Sequence, residues 1–305
     1  MSDDLSVVTG KIADGIALDE QDVRLLVGTK DLLALGTASD DARRRRHADR
    51  VSFVQVHDVP MDTAGFEAAL PDQAGEARVT GRPESVAAAV SAIRAVVARV
   101  GWVPVTGFTL ADLQDVSGHE VGRLGDVLTE LRDAGLALVT EAAAEKLGDP
   151  QPVFEVLREC GLTVGCLTLG DAVGEAAILL LRRIATWDGA GTVCRSVAPL
   201  PRVEPSPPTT GYSDLRQVAL ARLLVDNIDS IQVDWARHGP KLAQVALTVG
   251  ADDVDAVPAV VPDDLGRRRS PREEVRRNIV AAGFVAVRRN GCFQVLDSPD
   301  GAARE

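Results

Sequence analysis

The spacing of hydrophobic and polar residues along Tyr212–Ala256 predicts a helix, then a strand, then a second helix. Leucine, valine and alanine recur at helical spacing in the first half, and Asp214 suits the positive end of that helix. In Ser230–Trp235 the apolar residues share one face, while Gln232 and Asp234 share the other. Gly239-Pro240 ends the strand segment, and a second helix follows. This order is typical of a (β/α) barrel.

The same patterns extend across the chain. A strand is predicted over 51–56, long core helices over 84–100 and 121–134, and Thr109 is placed to cap a short helix. Asn290-Gly291 between two apolar segments predicts a β-hairpin. We therefore predict one α/β domain over 17–296, a TIM-like (β/α) barrel that is partial or shortened, with N-terminal helices and a C-terminal hairpin. Residues 1–16 are expected to be a flexible lead and 297–305 a loose tail.

Composition limits the function. The net charge of −12 argues against nucleic acid as a partner, because phosphate binding requires clustered cations. The basic run 43–46 is flanked by acids and is interpreted as a solvated helix face or a set of ion pairs. No apolar run is long enough to cross a bilayer, so we expect a cytoplasmic protein without a membrane partner.

Several segments resemble a known family. The segments "ARLLVDNIDSIQVDW", "GPKLAQVALTVGADDVD", "SPREEVRRNIVAAGFVAVRR" and "TGFTLADLQDVSGHEVGRLGDVLTELRDAGL" are similar to the radical S-adenosylmethionine (SAM) enzymes of futalosine-dependent menaquinone synthesis. Within that group the resemblance is to the cyclic dehypoxanthine futalosine synthase and aminofutalosine synthase type, and it covers roughly residues 17–296. It implies a radical SAM barrel with a [4Fe–4S] cluster held by a CxxxCxxC loop after the first strand.

This chain departs from that pattern at both places where the family contacts its cofactor. The first strand is followed by "HDVPMDTAGFEAALPDQAG", with Gly65 where the first cysteine of the motif is expected. A run of three glycines in the family corresponds here to Glu141-Ala142-Ala143, which continues a strand or begins a helix. We therefore expect no cofactor and no radical activity.

The cysteines do not replace the motif. Cys160, Cys166, Cys194 and Cys292 form no close cluster and are interpreted as small buried residues. A bridge between Cys160 and Cys166 is conceivable from their spacing but has no other support.

Candidate site residues come from the strand ends, because ligands of (β/α) barrels lie over the C-terminal ends of the strands. The catalytic candidates are Asp234, His57 and His238. The pocket candidates are Asp58, Glu141, Glu145, Asp171, Arg195 and Gln232. For four of these residues a structural role is also open. His57 and Asp58 could form a surface pair, His238 could be a loop histidine, and Asp234 could form an ion pair with Arg195. The trio of His57, Asp58 and His238 has no metal-specific spacing, so no metal is predicted.

Two classes of function follow. The first is a cluster-free relative of the menaquinone synthases, a pseudoenzyme that binds a small metabolite or pairs with a radical SAM paralogue or with itself. The alternative is a non-redox enzyme, of lyase or hydrolase type, that uses Asp234 and a histidine. A purely structural subunit is a third interpretation.

Overall fold

A computed structural model describes residues 2–16, 18–62, 70–202, 208–260 and 270–297. Its strands are β1 (Arg50–Pro60), β2 (Glu76–Thr80), β3 (Val105–Thr109), β4 (Leu136–Ala143), β5 (Val164–Thr168), β6 (Cys194–Ala198), β7 (Ser230–Asp234), β8 (Asp253–Pro258), β9 (Val285–Arg289) and β10 (Val295–Asp297). The first eight strands pair in parallel, each with the next.

The barrel is closed. β1 also pairs in parallel with β8, with Ser52 opposite Asp253, so the sheet returns to its first strand. This confirms the TIM-like (β/α) barrel. The shortening that the sequence suggests does not remove a strand from the ring.

Helices surround the barrel. They are α1 (Ser2–Asp14), α2 (Glu20–Gly28), α3 (Leu32–His47), α4 (Val86–Val100), α5 (Leu110–Val116), α6 (Val121–Ala134), α7 (Gln151–Cys160), α8 (Gly174–Ala185), α9 (Ala190–Val193), α10 (Gly211–Leu224), α11 (Trp235–Leu247) and α12 (Pro271–Ala281). None of the helices in the described ranges combines the length and the hydrophobicity that a membrane span requires.

The first residues differ from the expected flexible lead. Ser2–Asp14 form α1, and Val8 and Ile12 on this helix are buried in the core. The sequence gives two apolar residues four positions apart, which places them on one helix face. Residues 298–305, most of the predicted tail, lie outside the described residues.

Local capping explains several helix starts. Ser85 accepts a hydrogen bond from the backbone N–H of Ala88 at the start of α4. Thr109 and Asp112 form a capping box at the start of α5, as the sequence predicts for Thr109. Asp234 caps α11 by accepting from the backbone N–H of Arg237. The α11 helix therefore begins at Trp235, four residues before the Gly239-Pro240 kink, and Trp235 is not part of the strand.

The basic run of α3 is partly buried. Arg44 pairs with Asp40 at 2.7 Å and also with Asp49, which agrees with the ion-pair interpretation. Arg43 is fully buried, and its guanidinium lies 4.2 Å from the centre of the Phe284 ring. This arginine therefore packs α3 against the residue that precedes β9.

The barrel interior is unusually polar. Inward positions of β2, β7 and β8 carry alternating polar residues, whereas TIM barrels commonly fill this space with branched apolar side chains. They are Glu76 and Arg78 on β2, Gln232 and Asp234 on β7, and Asp253 and Asp255 on β8. Alternate residues of the same strands, such as Val233 and Val254, belong to the apolar core.

The C-terminal hairpin extends the sheet beyond the closed ring. β9 pairs in parallel with the first half of β1, and β10 pairs antiparallel with β9. At the predicted turn, Asn290 Oδ1 accepts from the backbone N–H groups of Cys292 and Gln294 at 2.9 and 3.0 Å. The backbone N–H of Gly291 donates to the carbonyl of Gly75 at 3.0 Å. The hairpin turn is thereby fixed beside the start of β2.

Candidate functional site

A cavity of about 430 Å³ lies inside the barrel, toward the C-terminal ends of the strands. Residues of β1, β2, β4, β5, β7 and β8 contribute to its wall, and the hairpin turn contributes Gly291 and Phe293. Its size falls within the range of small-molecule sites, which is about 300–1,000 Å³. This is the location at which (β/α) barrels bind their ligands.

The cavity wall is charged but nearly balanced. Its acidic residues are Asp58, Glu76, Glu141, Asp234 and Asp255. Its basic residues are Arg78, Arg202, Arg237 and Arg289. Glu76, Asp234, Asp255 and Arg289 are buried, so these four charges need partners of opposite charge.

Arg78 joins two of the acids. Its guanidinium donates to Glu76 at 2.7 Å and to Asp255 at 2.9 Å, and Thr106 also donates to Glu76 at 2.6 Å. Burial alone would raise the pKa of Asp255, but the charge and hydrogen bond of Arg78 outweigh it and lower that pKa to about 2. Asp255 therefore stays ionised inside the barrel.

Arg289 connects the hairpin to β8. Its Nε and one terminal nitrogen donate to the two oxygens of Asp253, both at 2.6 Å. The Gln232 amide nitrogen donates to Asp253 at 2.8 Å. Because an ionised carboxylate only accepts, this contact fixes the orientation of the Gln232 amide, with its oxygen turned away from Asp253.

Arg202 holds the outer part of the wall together. It follows β6 and donates to Asp234 at 2.8 Å, and it lies 3.4 Å from a carboxylate oxygen of Glu141. The Arg237 side chain donates to the Arg202 carbonyl. We call the three residues Glu141, Arg202 and Asp234 the arginine clamp.

Three buried polar atoms of the wall have no hydrogen-bond partner among the described residues. They are Thr140 Oγ1, Arg202 Nε and Gln232 Oε1. Gln232 is only 3% exposed, so solvent does not readily satisfy its oxygen. Buried polar groups are normally hydrogen-bonded, so these three atoms are placed to contact a molecule in the cavity, either water or a polar ligand.

Two non-glycine residues of the wall have left-handed backbone conformations. Ala256 on β8 has φ 55° and Phe293 in the hairpin has φ 64°. Residues other than glycine adopt this region at an energetic cost, and such strain concentrates at functional sites. The Arg289 guanidinium lies 3.9 Å from the centre of the Phe293 ring, which fixes the ring at the base of the cavity.

Two further titratable groups belong to the cavity. Burial raises the pKa of the Asp58 carboxyl at the rim, although the charge of Arg78 opposes this. Burial also raises the pKa of the Cys166 thiol to about 12. Cys166 is therefore a neutral thiol at physiological pH.

The structure brings four of the predicted site residues together: Asp58, Glu141, Gln232 and Asp234 all line the cavity. His57, His238, Glu145 and Asp171 do not line it. Glu145 lies in a 3₁₀ turn after β4, and Asp171 lies in the turn that follows β5, where both are exposed. His238 lies 3.3 Å from the carbonyl of Pro201, and burial lowers its pKa.

Arg195 lies at the opposite end of the barrel, so the expected ion pair with Asp234 is wrong. β6 begins at Cys194, which places Arg195 at the N-terminal end of the strand. It lines a second cavity of about 290 Å³ together with His47 and Arg50. Asp234 instead pairs with Arg202, from the loop after the same strand.

Sequence reasoning missed most of the polar wall. The missed residues are Glu76, Arg78, Thr140, Arg202, Arg237, Asp255 and Arg289. The alternation Glu-Ala-Arg-Val-Thr on β2 and Asp-Val-Asp on β8 was an available signal, because it places charges on one face of a strand. Nothing in the sequence indicated that Arg289 of the hairpin would reach the barrel interior.

The cysteines do not fit an iron–sulfur cluster. All four are free thiols, so the conceivable bridge between Cys160 and Cys166 is not formed. The described cysteines lie on separate elements, and burial raises the pKa values of Cys166, Cys194 and Cys292, whereas a cluster requires adjacent thiolates. The sequence has no cysteine between β1 and β2. Within the described ranges, no three His, Cys, Asp or Glu side chains are arranged to hold a metal ion.

The barrel and its cavity define a (β/α)-barrel protein with a small-molecule type of site. Solved structures agree with the fold. The structure of methylornithine synthase superposes with a TM-score of 0.61 at 17% identity, covering 91% of this chain and 96% of that one. The [FeFe]-hydrogenase maturase HydG superposes with a TM-score of 0.65 at 12% identity, covering 96% and 77%.

Sequence comparison finds a family match in the C-terminal third of the chain. Residues 198–302 match the model of the CofH/MqnC C-terminal region. This match and the similarity to aminodeoxyfutalosine synthases support the predicted resemblance to the radical SAM enzymes of the futalosine pathway.

Curated relatives match longer parts of the chain. The aminodeoxyfutalosine synthase of Streptomyces coelicolor is 28% identical over 262 residues, covering 70% of this chain and 66% of the relative. The 5-amino-6-(D-ribitylamino)uracil–L-tyrosine 4-hydroxyphenyl transferase of Archaeoglobus fulgidus is 30% identical over 205 residues, covering 56% and 59%. The matches thus span less than two thirds of these relatives.

Proposed function

We propose that this protein is a cluster-free, metabolite-binding member of its family that serves menaquinone biosynthesis without radical chemistry. The observation that carries the proposal is the cavity with three unpartnered buried polar atoms, in a chain without the CxxxCxxC motif. The family relationship favours a futalosine-like metabolite as the ligand, because its named relatives include aminodeoxyfutalosine synthases.

The clamp supports a role without S-adenosylmethionine. The resemblance places the cofactor's glycine run at Glu141-Ala142-Ala143, and here the Glu141 carboxylate lies 3.4 Å from Arg202. Side chains and an ion pair therefore occupy the part of the wall where backbone and cofactor would meet in the family.

Melting temperature provides the binding test. A ligand that binds only the folded state raises the melting temperature, and the increase grows with the ratio of ligand concentration to Kd. We expect one or more futalosine-pathway metabolites to stabilise the protein, with Arg276→Ala on the surface of α12 as a control that keeps the response. If every pathway metabolite leaves the melting curve unchanged, the binding proposal fails.

Anaerobic reconstitution with iron and sulfide tests the chemistry. We expect a colourless protein that forms no 5′-deoxyadenosine from S-adenosylmethionine. A brown protein that does form it would contradict the cluster-free proposal. Co-purification with a cluster-bearing homologue would identify the partner role, and size-exclusion chromatography would show self-association.

The alternative, a non-redox lyase or hydrolase, now depends on Asp58. Asp234 is held by Arg202 and caps α11, and no described histidine lines the cavity. Asp58 lies at the rim and burial raises the pKa of its carboxyl, so it is the cavity group best suited to transfer a proton. If the ligand found by melting is turned over, and Asp58→Asn abolishes turnover but preserves binding, the enzyme alternative replaces the binding proposal.

A further inference from the structure

We infer that the cavity takes an uncharged polar molecule, which places a hydrogen-bond donor at the inner end and an acceptor toward the mouth. This inference rests on the proposed function, since it specifies the ligand of the same site. Three features of the wall carry it: the pairing of the wall charges, the chemistry of the unpartnered atoms and the depth at which each atom lies.

The first feature is that the buried charges of the wall are already paired with one another. Arg78 contacts Glu76 and Asp255 within 2.9 Å, and Arg289 holds Asp253 with two contacts of 2.6 Å. A charged group on a ligand would have to displace one of these partners and leave another charge buried without compensation, which is costly. The part of the wall formed by these pairs therefore discriminates against charged ligands.

The second feature is the chemistry of the unpartnered atoms. Gln232 Oε1 only accepts, because the Gln232 nitrogen is committed to Asp253 at 2.8 Å. Arg202 Nε only donates, while the Thr140 hydroxyl can do either. A matching ligand offers at least one N–H or O–H group and at least one neutral acceptor such as a carbonyl, hydroxyl or ring nitrogen.

The third feature is depth, which orients the ligand. Along β7 and β8, Gln232 lies opposite Asp253, and Asp234 lies opposite Asp255 two residues nearer the C-terminal end of the barrel. Arg202 contacts Asp234, so its Nε belongs to the outer level, whereas Gln232 belongs to the inner one. The ligand's donor thus faces inward to Gln232, and its acceptor faces the clamp.

Calorimetric titration of the full chain tests this inference with matched probes. Adenosine and uridine are uncharged and carry both donors and acceptors, and their 5′-monophosphates keep the nucleoside and add one negatively charged phosphate group. We expect a nucleoside to bind and its monophosphate to bind at least about tenfold more weakly, because a phosphate would meet the paired carboxylates.

Two variants test whether Thr140 and Gln232 contact the bound nucleoside. Thr140→Val removes an atom that has no protein partner, so the fold should be unaffected while nucleoside affinity falls about tenfold. Gln232→Met should also weaken binding about tenfold, and Gln21→Met on the surface of α2 is the matched control with unchanged affinity.

Three results would overturn the inference: monophosphates that bind as tightly as nucleosides, a Thr140→Val protein with full affinity, or no nucleoside binding at millimolar concentration. The proposed function is judged separately, by the pathway metabolites. If those bind only as anions, the ligand-class inference fails and the proposed function stands. If nucleosides bind and no pathway metabolite does, the reverse holds.

Discussion

Arg289 and Asp253 face each other inside the barrel, joined by two hydrogen bonds of 2.6 Å. Arg289 ends β9 and Asp253 begins β8, so this pair connects the C-terminal hairpin to the ring of strands. Both side chains are almost fully buried.

Loss of Arg289 should therefore destabilise the fold strongly. Arg289→Ala leaves the Asp253 carboxylate buried without its partner, and breaking buried pairs in this way costs about 3–5 kcal/mol. Urea denaturation followed by circular dichroism measures the change. Arg276→Ala, which breaks the exposed pair with Glu273, should cost less than about 1 kcal/mol. Equal effects of the two substitutions would show that the Arg289 pair has no special structural role.

Stability should fall as the pH is lowered from 5 to 3, in part through Asp255. Its pKa is lowered in the fold from 3.8 to about 2, so the ionised form is favoured by folding and this contribution is lost as the carboxyl becomes protonated. The loss from this group over that interval is about 1 kcal/mol. In Asp255→Asn, urea denaturation across the same interval should show a correspondingly flatter dependence. An unchanged slope would contradict the assignment.

Cys166 should be unreactive in the folded protein. With a pKa of about 12, about one thiol in ten thousand is ionised at pH 8, and the side chain is buried in addition. Mass spectrometry after iodoacetamide treatment should find Cys166 unmodified in native protein and modified in urea. The half-buried Cys292 serves as the internal comparison and should react first. Rapid native modification of Cys166 would show that the cavity opens readily to solvent.

Gly165 should not tolerate a side chain. A Cβ atom at this position would lie 2.8 Å from the Thr140 carbonyl oxygen and 2.9 Å from a Leu138 methyl group, so the backbone of β4 would have to move. We expect Gly165→Ala to cost about 1–3 kcal/mol by urea denaturation. Gly122→Ala in α6 is the control, since nothing lies within 4 Å of its Cβ, and it should be neutral or slightly stabilising. A neutral Gly165→Ala would mean that the interior is loosely packed.

The sequence predicted the barrel class, because local patterns specify its elements, but it did not predict that the ring is complete. The cap at Thr109 and the Asn290-Gly291 turn form where their patterns lie, and the alternation in Ser230–Trp235 forms β7 as far as Asp234. Position along a strand was harder to predict. Arg195 was assigned to the mouth because it lies in the predicted strand, but a difference of three residues along that strand decides which end a side chain reaches.

Contacts between distant segments account for the rest of the site. Arg202 replaces Arg195 as the partner of Asp234 because the chain turns back over the barrel after β6. Arg289 reaches Asp253 because β9 adds to β1 at the base of the ring. Neither contact leaves a local pattern in the sequence. By contrast, the charges alternating on β2 and β8 did leave one, and they could have been assigned to the interior.

The position of the hairpin at the base of the cavity has a consequence for folding during translation. Phe293 and Arg289 line both the candidate site and the second cavity near Arg195. The hairpin turn therefore lies between two cavities of the same barrel. Until the ribosome has released the hairpin, the growing polypeptide holds a ring of strands that is open at its lower end. Ligand capture should therefore begin only after the hairpin has left the ribosome and β9 has paired with β1.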